Sequence, residues 1–296
     1  MPSNEGGPTG SRSWPVAVFA YNEQEHIVSC LDSLPPAAPG LPLTVYVLAN
    51  GCSDATEAVV AEYARSHPQV RLCSIPLGDK SNAWNYFIHE LAPQADRYFF
   101  IDGDVRACAN ALVELHQGLL AHGECHAAAA FPVSGRNCAA ARKTMQKGSE
   151  LAGNLYALSG PFVTRVRALQ VRLPVGFIGE DGLVAALAKW DLDPRGDLDN
   201  GRVLPCPEAG FSFDPLRVTR PRHWALYWNR LIRYRIRAHE FRLLGPVLKA
   251  QGLAGVPGHV GELFRGRIET YRPRWTGPDT FFDWLALRRI KRKHCT

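Results

Sequence analysis

Short runs rich in apolar residues recur through the first hundred positions, each followed by a polar turn and then by apolar residues at steps of three and four. Trp14–Ala20, Leu43–Ala49, Val70–Ile75 and Tyr98–Ile101 read as buried strands. Between them the spacing predicts helices. Tyr21-Asn22-Glu23-Gln24-Glu25 opens one that runs toward Leu34 with Ile27, Leu31 and Leu34 on one face, a second covers about 55–66, and a third covers Lys80–Leu91. Strands alternating with helices imply right-handed crossovers and an α/β fold, a doubly wound and mostly parallel sheet with helices on both faces. Ligands in such sheets lie beyond the carboxyl ends of the strands, where Tyr21-Asn22, Asn50–Asp54 and Asp102–Asp104 all fall.

Later in the chain the pattern changes. Gly153 to Phe162 holds a Gly-Pro break among small and aromatic residues, which suits a loop lining a ligand cavity, with Ser159 and Gly160 as its contact positions and a helix over Val163–Leu169 after it. Glu180 and Asp181 then open a helix running over Leu183–Trp190. Past Asp214-Pro215, Trp224, Tyr227, Trp228, Leu231, Tyr234, Ala238 and Phe241 recur at helical spacing, a stripe predicted to pack on the sheet domain. Arg230, Arg233 and Arg237 form a separate basic stripe.

Charge follows the same boundary. Residues 217–296 hold 18 Lys or Arg against 5 Asp or Glu, a balance of +13, which leaves 16 against 23, or −7, for residues 1–216 within a net charge of +6. The expected organisation is therefore a disordered tail over 1–13, a sheet domain over 14–215 and a basic helical extension over 216–296. Phe281, Phe282, Trp284, Leu285, Leu287 and Ile290, interleaved with Arg288, Arg289, Lys291, Arg292 and Lys293, have the composition of a basic amphipathic segment, so peripheral contact with an anionic membrane is expected.

At 296 residues and 46% hydrophobic, the chain can bury a large core, yet no apolar run approaches the ~18 residues of a membrane span. Residues 1–13 lack the apolar stretch of a signal peptide, and a cytoplasmic location is expected. The eight cysteines show no Cys-x-x-Cys pair and read as free thiols; His122, Cys125 and His126 lack the further ligands of a zinc site.

The chemistry centres on Asp102-Gly103-Asp104. Residues two apart on extended backbone point the same way, so both carboxylates can meet one hard cation while Gly103 lets a phosphate approach. Taken alone, the stretch fits a solvated Asp-Gly turn equally well. Phosphate binding through Gly-x-Gly-x-x-Gly or a Gly-x-x-x-x-Gly-Lys-Ser/Thr loop is absent from the sequence. Lys80 begins a helix, where anions are favoured, and arginine matches phosphate geometry. Glu180 and Asp181 taken alone are also ordinary partners of a helix dipole.

In order along the chain, Val16-Ala17-Val18-Phe19-Ala20-Tyr21-Asn22-Glu23, Asn50-Gly51-Cys52-Ser53-Asp54, Lys80-Ser81-Asn82-Ala83-Trp84-Asn85, Asp102-Gly103-Asp104 and Gly179-Glu180-Asp181 resemble the motifs of the family 2 glycosyltransferases, the inverting nucleotide-sugar transferases of the doubly wound type. Arg230-Leu231-Ile232-Arg233-Tyr234 is a fainter likeness to the last motif of the processive members. The resemblance implies Mn2+ or Mg2+ on Asp102 and Asp104, with Asp104 the direct ligand. It implies Asp181 as the base that deprotonates an acceptor hydroxyl, supported by Glu180. Donor contacts then fall to Ala20, Tyr21, Asn22, Glu23, Asn50, Asp54, Lys80, Asn85, Asp102, Gly103, Arg230 and Arg233.

Two positions depart from the pattern. Asn50 stands where the family has an Asp that reads the base, and its amide can both accept from and donate to uracil, so a UDP-sugar donor is expected. Arg230 and Tyr234 replace the Gln and Trp of the last motif, and polymer synthesis coupled to secretion is not expected. The implied reaction is inverting transfer of a sugar to a saccharide or lipid-linked hydroxyl, as in glycan, glycolipid or cell-envelope synthesis. A sugar nucleotidyltransferase would open with a Gly-rich activating loop, and a nucleic-acid-binding protein would carry zinc-finger or RNA-recognition motifs; neither is present, and no nucleic-acid partner is expected.

Overall fold

The structure, a computed structural model, describes residues 14–34, 43–135, 138–148, 150–214, 221–267, 272–273, 275, 277 and 279–294. The tail expected over 1–13 lies outside these residues. The elements in chain order are β1 (Trp14–Ala20), α1 (Ile27–Asp32), β2 (Leu43–Asn50), α2 (Thr56–Ser66), β3 (Val70–Ile75), α3 (Lys80–Tyr86) and β4 (Arg97–Asp102). There follow β5 (Val105–Ala107), α4 (Ala111–Ala121), β6 (Ala127–Pro132), α5 (Cys138–Gly148), β7 (Leu155–Ser159), α6 (Gly160–Ala168) and α7 (Glu180–Lys189). The chain closes with β8 (Val203–Phe213), α8 (Pro221–Gln251), α9 (Gly261–Phe264) and α10 (Asp279–His294).

Eight strands form one sheet in the order β3-β2-β1-β4-β7-β6-β8-β5. The first four pair in parallel, as the alternation predicts. Beyond β4 the sheet is mixed: β7 runs antiparallel to both β4 and β6, β8 is parallel to β6, and β5 returns antiparallel on β8. Alternate residues of each central strand face opposite ways, and both faces are covered. Val16, Val18, Val45, Val47, Phe99 and Ile101 pack under α1, α2 and α4, whereas Ala17, Phe19, Tyr46, Leu48, Tyr98 and Phe100 pack under α3, α6, α7 and the C-terminal helices.

That second core runs without a break into α8, α9 and α10 through Ile232, Ile236, Leu244, Leu248, Phe264, Leu287 and Ile290. The basic C-terminal region is thus packed on the sheet domain. Its contact face is not the one the aromatic spacing predicts. Trp224, Tyr227, Trp228 and Tyr234 are exposed, because α8 turns the i, i+4 row Ile232, Ile236, Glu240, Leu244 and Leu248 inward. Phe241 alone of the aromatic stripe meets the core edge-on, at 5.1 Å from Phe177. α10 is fastened to α8 by ion pairs: Arg235 binds Asp279, and the buried Asp283 lies 3.6 Å from His239 Nε2 and 4.0 Å from Arg235 Nε.

Candidate active site

A cavity of about 920 Å³ opens where β1, β2 and β4 end. Strand register puts Phe19 beside Asp102 and Ala20 beside Ala49, so the three turns that follow are neighbours. Gly103 N–H donates to Phe19 O at 2.8 Å, and a Cβ on Gly103 would come within 3.1 Å of that oxygen. Gly51 takes φ +65°, and a Cβ there would lie 2.5 Å from Gly78 Cα, so two turns touch through backbone beneath the cavity.

Lys80 is the electrostatic centre. Its Nζ lies 2.6 Å from Asp102 Oδ1 and 3.0 Å from Glu180 Oε1, and donates to Gly153 O at 3.2 Å. Burial opposes the charge on Lys80, but Asp102 and Glu180 outweigh it and hold its pKa well above the ordinary value. Burial pushes Asp102 up to about 7, with Lys80 pulling it down and Asp104 pushing it further up. Glu23 is likewise raised to about 7, by burial and then by Asp104, against a restraining hydrogen bond from His26. For Glu180, burial favours the neutral form, yet the Lys80 ammonium prevails and keeps its carboxyl below the usual range.

The two acids of α7 divide. Glu180 lines the cavity; Asp181 does not, being turned to Gly153 N–H at 3.2 Å and to Arg237 Nη1, 3.2 Å from its Oδ1. The segment before them is held by three side chains. Asp79 accepts from Gly176 N–H at 2.9 Å, Ser81 Oγ donates to Phe177 O at 3.3 Å, and Glu240 accepts from Ile178 N–H at 2.7 Å.

Of the residues singled out from the sequence, Tyr21, Glu23, Asn50, Lys80, Asp102, Gly103, Asp104, Glu180, Arg230 and Arg233 line this one cavity. Asn50 differs in capacity from the expectation. Its Nδ2 donates to Ala20 O and Leu48 O, so only Oδ1 remains for a ligand. Asn22 and Asp54 instead tie the first two turns together: Asn22 Oδ1 accepts from Ser53 N–H at 2.8 Å, and Asp54 accepts from Gln24 and Thr56. Asn85 is buried and bonded to both backbone groups of Leu173.

Ser159 and Gly160 are a correction. Because β7 runs antiparallel to β4, its Leu155 end lies beside Ile101 while Ser159 lies beside Arg97, at the opposite edge of the sheet. Both are buried there, and a Cβ on Gly160 would sit 2.3 Å from Ala95 O. They begin α6 and take no part in the cavity.

Asp79, Asn229, Glu240, Arg289, Lys293 and His294 also line it and were not anticipated. Asp79 had a local signal, an Asx N-cap whose Oδ1 accepts from Asn82 N–H at 2.8 Å. The others arrive only through packing of α8 and α10.

Asp102 and Asp104 supply hard oxygen donors suited to Mg2+ or Mn2+, which keep several positions for water and substrate phosphate. Asp104 is exposed and has neither a hydrogen bond nor an ion pair among the described residues. Among those residues no group of three or more His, Cys, Asp or Glu side chains is placed to hold an ion. His122, Cys125 and His126 form no such group either: His126 Nε2 meets Asp191 at 2.5 Å and Cys125 donates to Gly201 O.

Residues 13–157 match the family described as Glycosyltransferase like family 2. No curated protein matches the chain. Among solved structures, the fold is similar to the mannosyltransferase PcManGT from Pyrobaculum calidifontis in complex with GDP-Man and Mn2+, with a TM-score of 0.60 and 16% identity over 96% of this chain and 75% of that one. It is also similar to glucosyl-3-phosphoglycerate synthase from Mycobacterium tuberculosis in complex with Mn2+, UDP-Glc and phosphoglyceric acid, with a TM-score of 0.51 and 22% identity over 75% of this chain and 79% of that one. Both likenesses are of fold: a nucleotide-sugar transferase sheet with C-terminal helices.

Proposed function

The chain carries a glycosyltransferase family 2-like domain over residues 13–157, and we propose that it moves a sugar from a nucleotide-diphosphate donor to an acceptor hydroxyl with inversion at the anomeric carbon. The observation that carries this reading is the position of Lys80, which joins Asp102 at the end of β4 to Glu180 at the start of α7 inside one cavity.

The nucleoside enters over the ends of β1 and β2. Asn50 Oδ1 accepts a ring N–H, a donor that uracil and guanine possess and that adenine and cytosine lack in their usual forms. Two fold neighbours bind UDP-Glc and GDP-Man, which agrees with that chemistry. The diphosphate lies toward Gly103, Asp102 and Lys80. Asp102 and Asp104 would hold a divalent ion, which would supply neutralisation of the charge that gathers on the departing diphosphate.

Lys80 shares that task, and Glu180 keeps the ammonium aimed at it. Glu180 is held by the Lys80 ammonium, and the proton of the acceptor hydroxyl is assigned to Asp181, the base that the order of the motifs implies. The hydroxyl takes the place of Gly153 N–H or Arg237 beside that carboxylate. Its oxygen forms a bond to the anomeric carbon on the side opposite the diphosphate, the bond from that carbon to the diphosphate oxygen breaks, and Asp181 holds the proton. Exposed Trp224, Tyr227, Trp228, Phe281 and Trp284 beside the basic helices suit contact with an anionic membrane during the reaction.

Thermal unfolding of the protein with UDP, GDP or ADP, with and without Mn2+, tests the donor reading. Stabilisation by UDP or GDP that requires Mn2+ supports it, and identical unfolding under all conditions refutes it. Nucleotide sugars of the stabilising base then identify the donor by metal-dependent hydrolysis.

A further inference from the structure

The helical side of the cavity carries more positive charge than a donor needs. Arg230 and Arg233 on α8, with Arg289 and Lys293 on α10, all line it. None of these four makes an ion pair with a carboxylate among the described residues, whereas Arg235 and Arg237, on the same α8, are paired with Asp279 and Asp181. Two of the four are nevertheless held in place by neutral partners. Arg230 donates from Nε to Tyr234 Oη at 2.7 Å, and Arg289 donates from Nη1 to Asn229 Oδ1 at 3.0 Å. Each contact occupies one nitrogen and leaves the rest of the guanidinium fork for a ligand.

Lys80 and a divalent ion on Asp102 and Asp104 bring three positive charges, which Asp102, Asp104 and Glu180 offset, so the four cations of the helical wall exceed by two the two negative charges of a nucleotide-sugar diphosphate. Glu240 also lines the cavity, and burial raises its pKa to about 8 against the pull of Lys293 and Arg233, so its carboxyl offsets little of their charge at neutral pH. Like charges gathered around one cavity repel, and a bound anion removes that cost.

We propose that Arg230, Arg233, Arg289 and Lys293 form a second anion subsite, separate from the donor's, and that the acceptor is a phosphate-bearing alcohol whose phosphate rests there while its hydroxyl reaches Asp181. The proposal rests on the sugar-transfer reading of the cavity. It also moves Arg230 and Arg233 from the donor diphosphate, where the sequence motif places them, to the acceptor. The phosphate is either that of a soluble phosphomonoester or the headgroup of a lipid, since both present the same dianionic group to the arginines.

Calorimetric titration of the full chain, saturated with UDP or GDP and Mn2+, with glycerol 3-phosphate and with glycerol tests the subsite. In parallel, flotation compares vesicles containing phosphatidic acid with vesicles containing phosphatidylglycerol at equal surface charge. The expected result is binding of a phosphate probe to the nucleotide-loaded protein, with no binding of glycerol. Glycerol 3-phosphate binding marks a soluble acceptor; preference for phosphatidic acid without it marks a lipid. The exposed pair Arg289→Gln and Lys293→Gln should weaken that binding about tenfold or more, with the melting temperature unchanged and nucleotide–Mn2+ affinity within about twofold.

Failure of both phosphate probes overturns the proposal, as does competition between the probe and the nucleotide, or an equal loss of nucleotide affinity in the variant. Failure of UDP and GDP alone refutes the donor reading instead, and the phosphate titration is then read on the protein without nucleotide.

Discussion

Lys80 Nζ lies 2.6 Å from Asp102 Oδ1, joining the first residue of α3 to the last residue of β4. The same ammonium reaches Glu180, so three elements of the cavity share one cation. About a quarter of each side chain of the Lys80–Asp102 pair remains exposed, which softens the penalty for breaking it. Lys80→Met keeps a side chain of similar length but removes the ammonium that lies over the Phe19 ring and is shared by two carboxylates. Urea unfolding at pH 7 should show a loss of about 2–3 kcal/mol, below the about 3–5 of a fully buried pair. Affinity for UDP or GDP with Mn2+ should fall in the same variant. Unchanged stability would mean that the triad holds nothing together.

The roles of Asp104 and Asp181 separate by mutation. Asp104 is exposed and unpaired among the described residues, so Asp104→Ala should leave folding intact and abolish the Mn2+-dependent part of nucleotide binding. Asp181→Asn keeps the side chain's shape but removes its ability to accept a proton. Turnover should drop by about 10²–10⁴ with donor affinity little changed. Calorimetry with nucleotide and Mn2+, followed by sugar transfer to the acceptor, reads both profiles. Near-normal turnover by Asp181→Asn combined with a large loss in Glu180→Gln would assign the proton to Glu180.

The parallel half of the sheet and the donor side of the cavity were legible because they are local. Trp14–Ala20, Leu43–Asn50 and Arg97–Asp102 each declare a buried strand and the turn that follows it, and parallel pairing brings such turns together. Ser159 was misplaced because strand direction is a long-range property: nothing between Gly153 and Phe162 reports that β7 runs antiparallel to β4. The wall of Arg289 and Lys293 was invisible for a similar reason, since α10 reaches the cavity by docking on α8 more than forty residues earlier in the chain. The aromatic stripe of α8 misled in a third way. Aromatic residues at helical spacing define a face, but the face that packs is set by Ile232, Ile236 and Leu244 meeting the sheet.

Glu240 links stability to pH. It is buried, accepts from Ile178 N–H, and has a folded pKa of about 8 against an ordinary value of 4.5, chiefly through burial. Between those values the folded protein keeps a proton that the unfolded chain has lost. Its contribution is therefore fully present below about pH 4.5 and is lost as pH rises toward 8. Glu240→Gln keeps an acceptor for Ile178 and removes the titration. Unfolding free energies from urea titrations between pH 5 and 8 should fall less steeply in the variant, by on the order of 1 kcal/mol per pH unit. Equal slopes would show that Glu240 ionises in the folded state without cost.

Membrane contact must be tested by substitution and not by truncation. Read from the sequence, Phe281 to Lys293 has the composition of a basic amphipathic surface segment. In the fold, Asp283, Ala286, Leu287 and Ile290 are buried against α8 and the core, so removing the segment would expose that core. What stays outside is Phe281, Trp284 and the aromatic start of α8, with Trp224 64% and Trp284 46% exposed. Arg288 lies 5.6 Å from the Trp284 ring, an aromatic and basic pairing suited to the headgroup region. Trp224→Ser with Trp284→Ser keeps every charge and should reduce partitioning into phosphatidylglycerol vesicles about tenfold or more at low salt. Because each basic residue near an anionic surface adds only ~1 kcal/mol and is screened within a Debye length, the residual binding should vanish first as salt is raised. If the variant and the native chain float equally at every salt concentration, the aromatic surface does not enter the membrane.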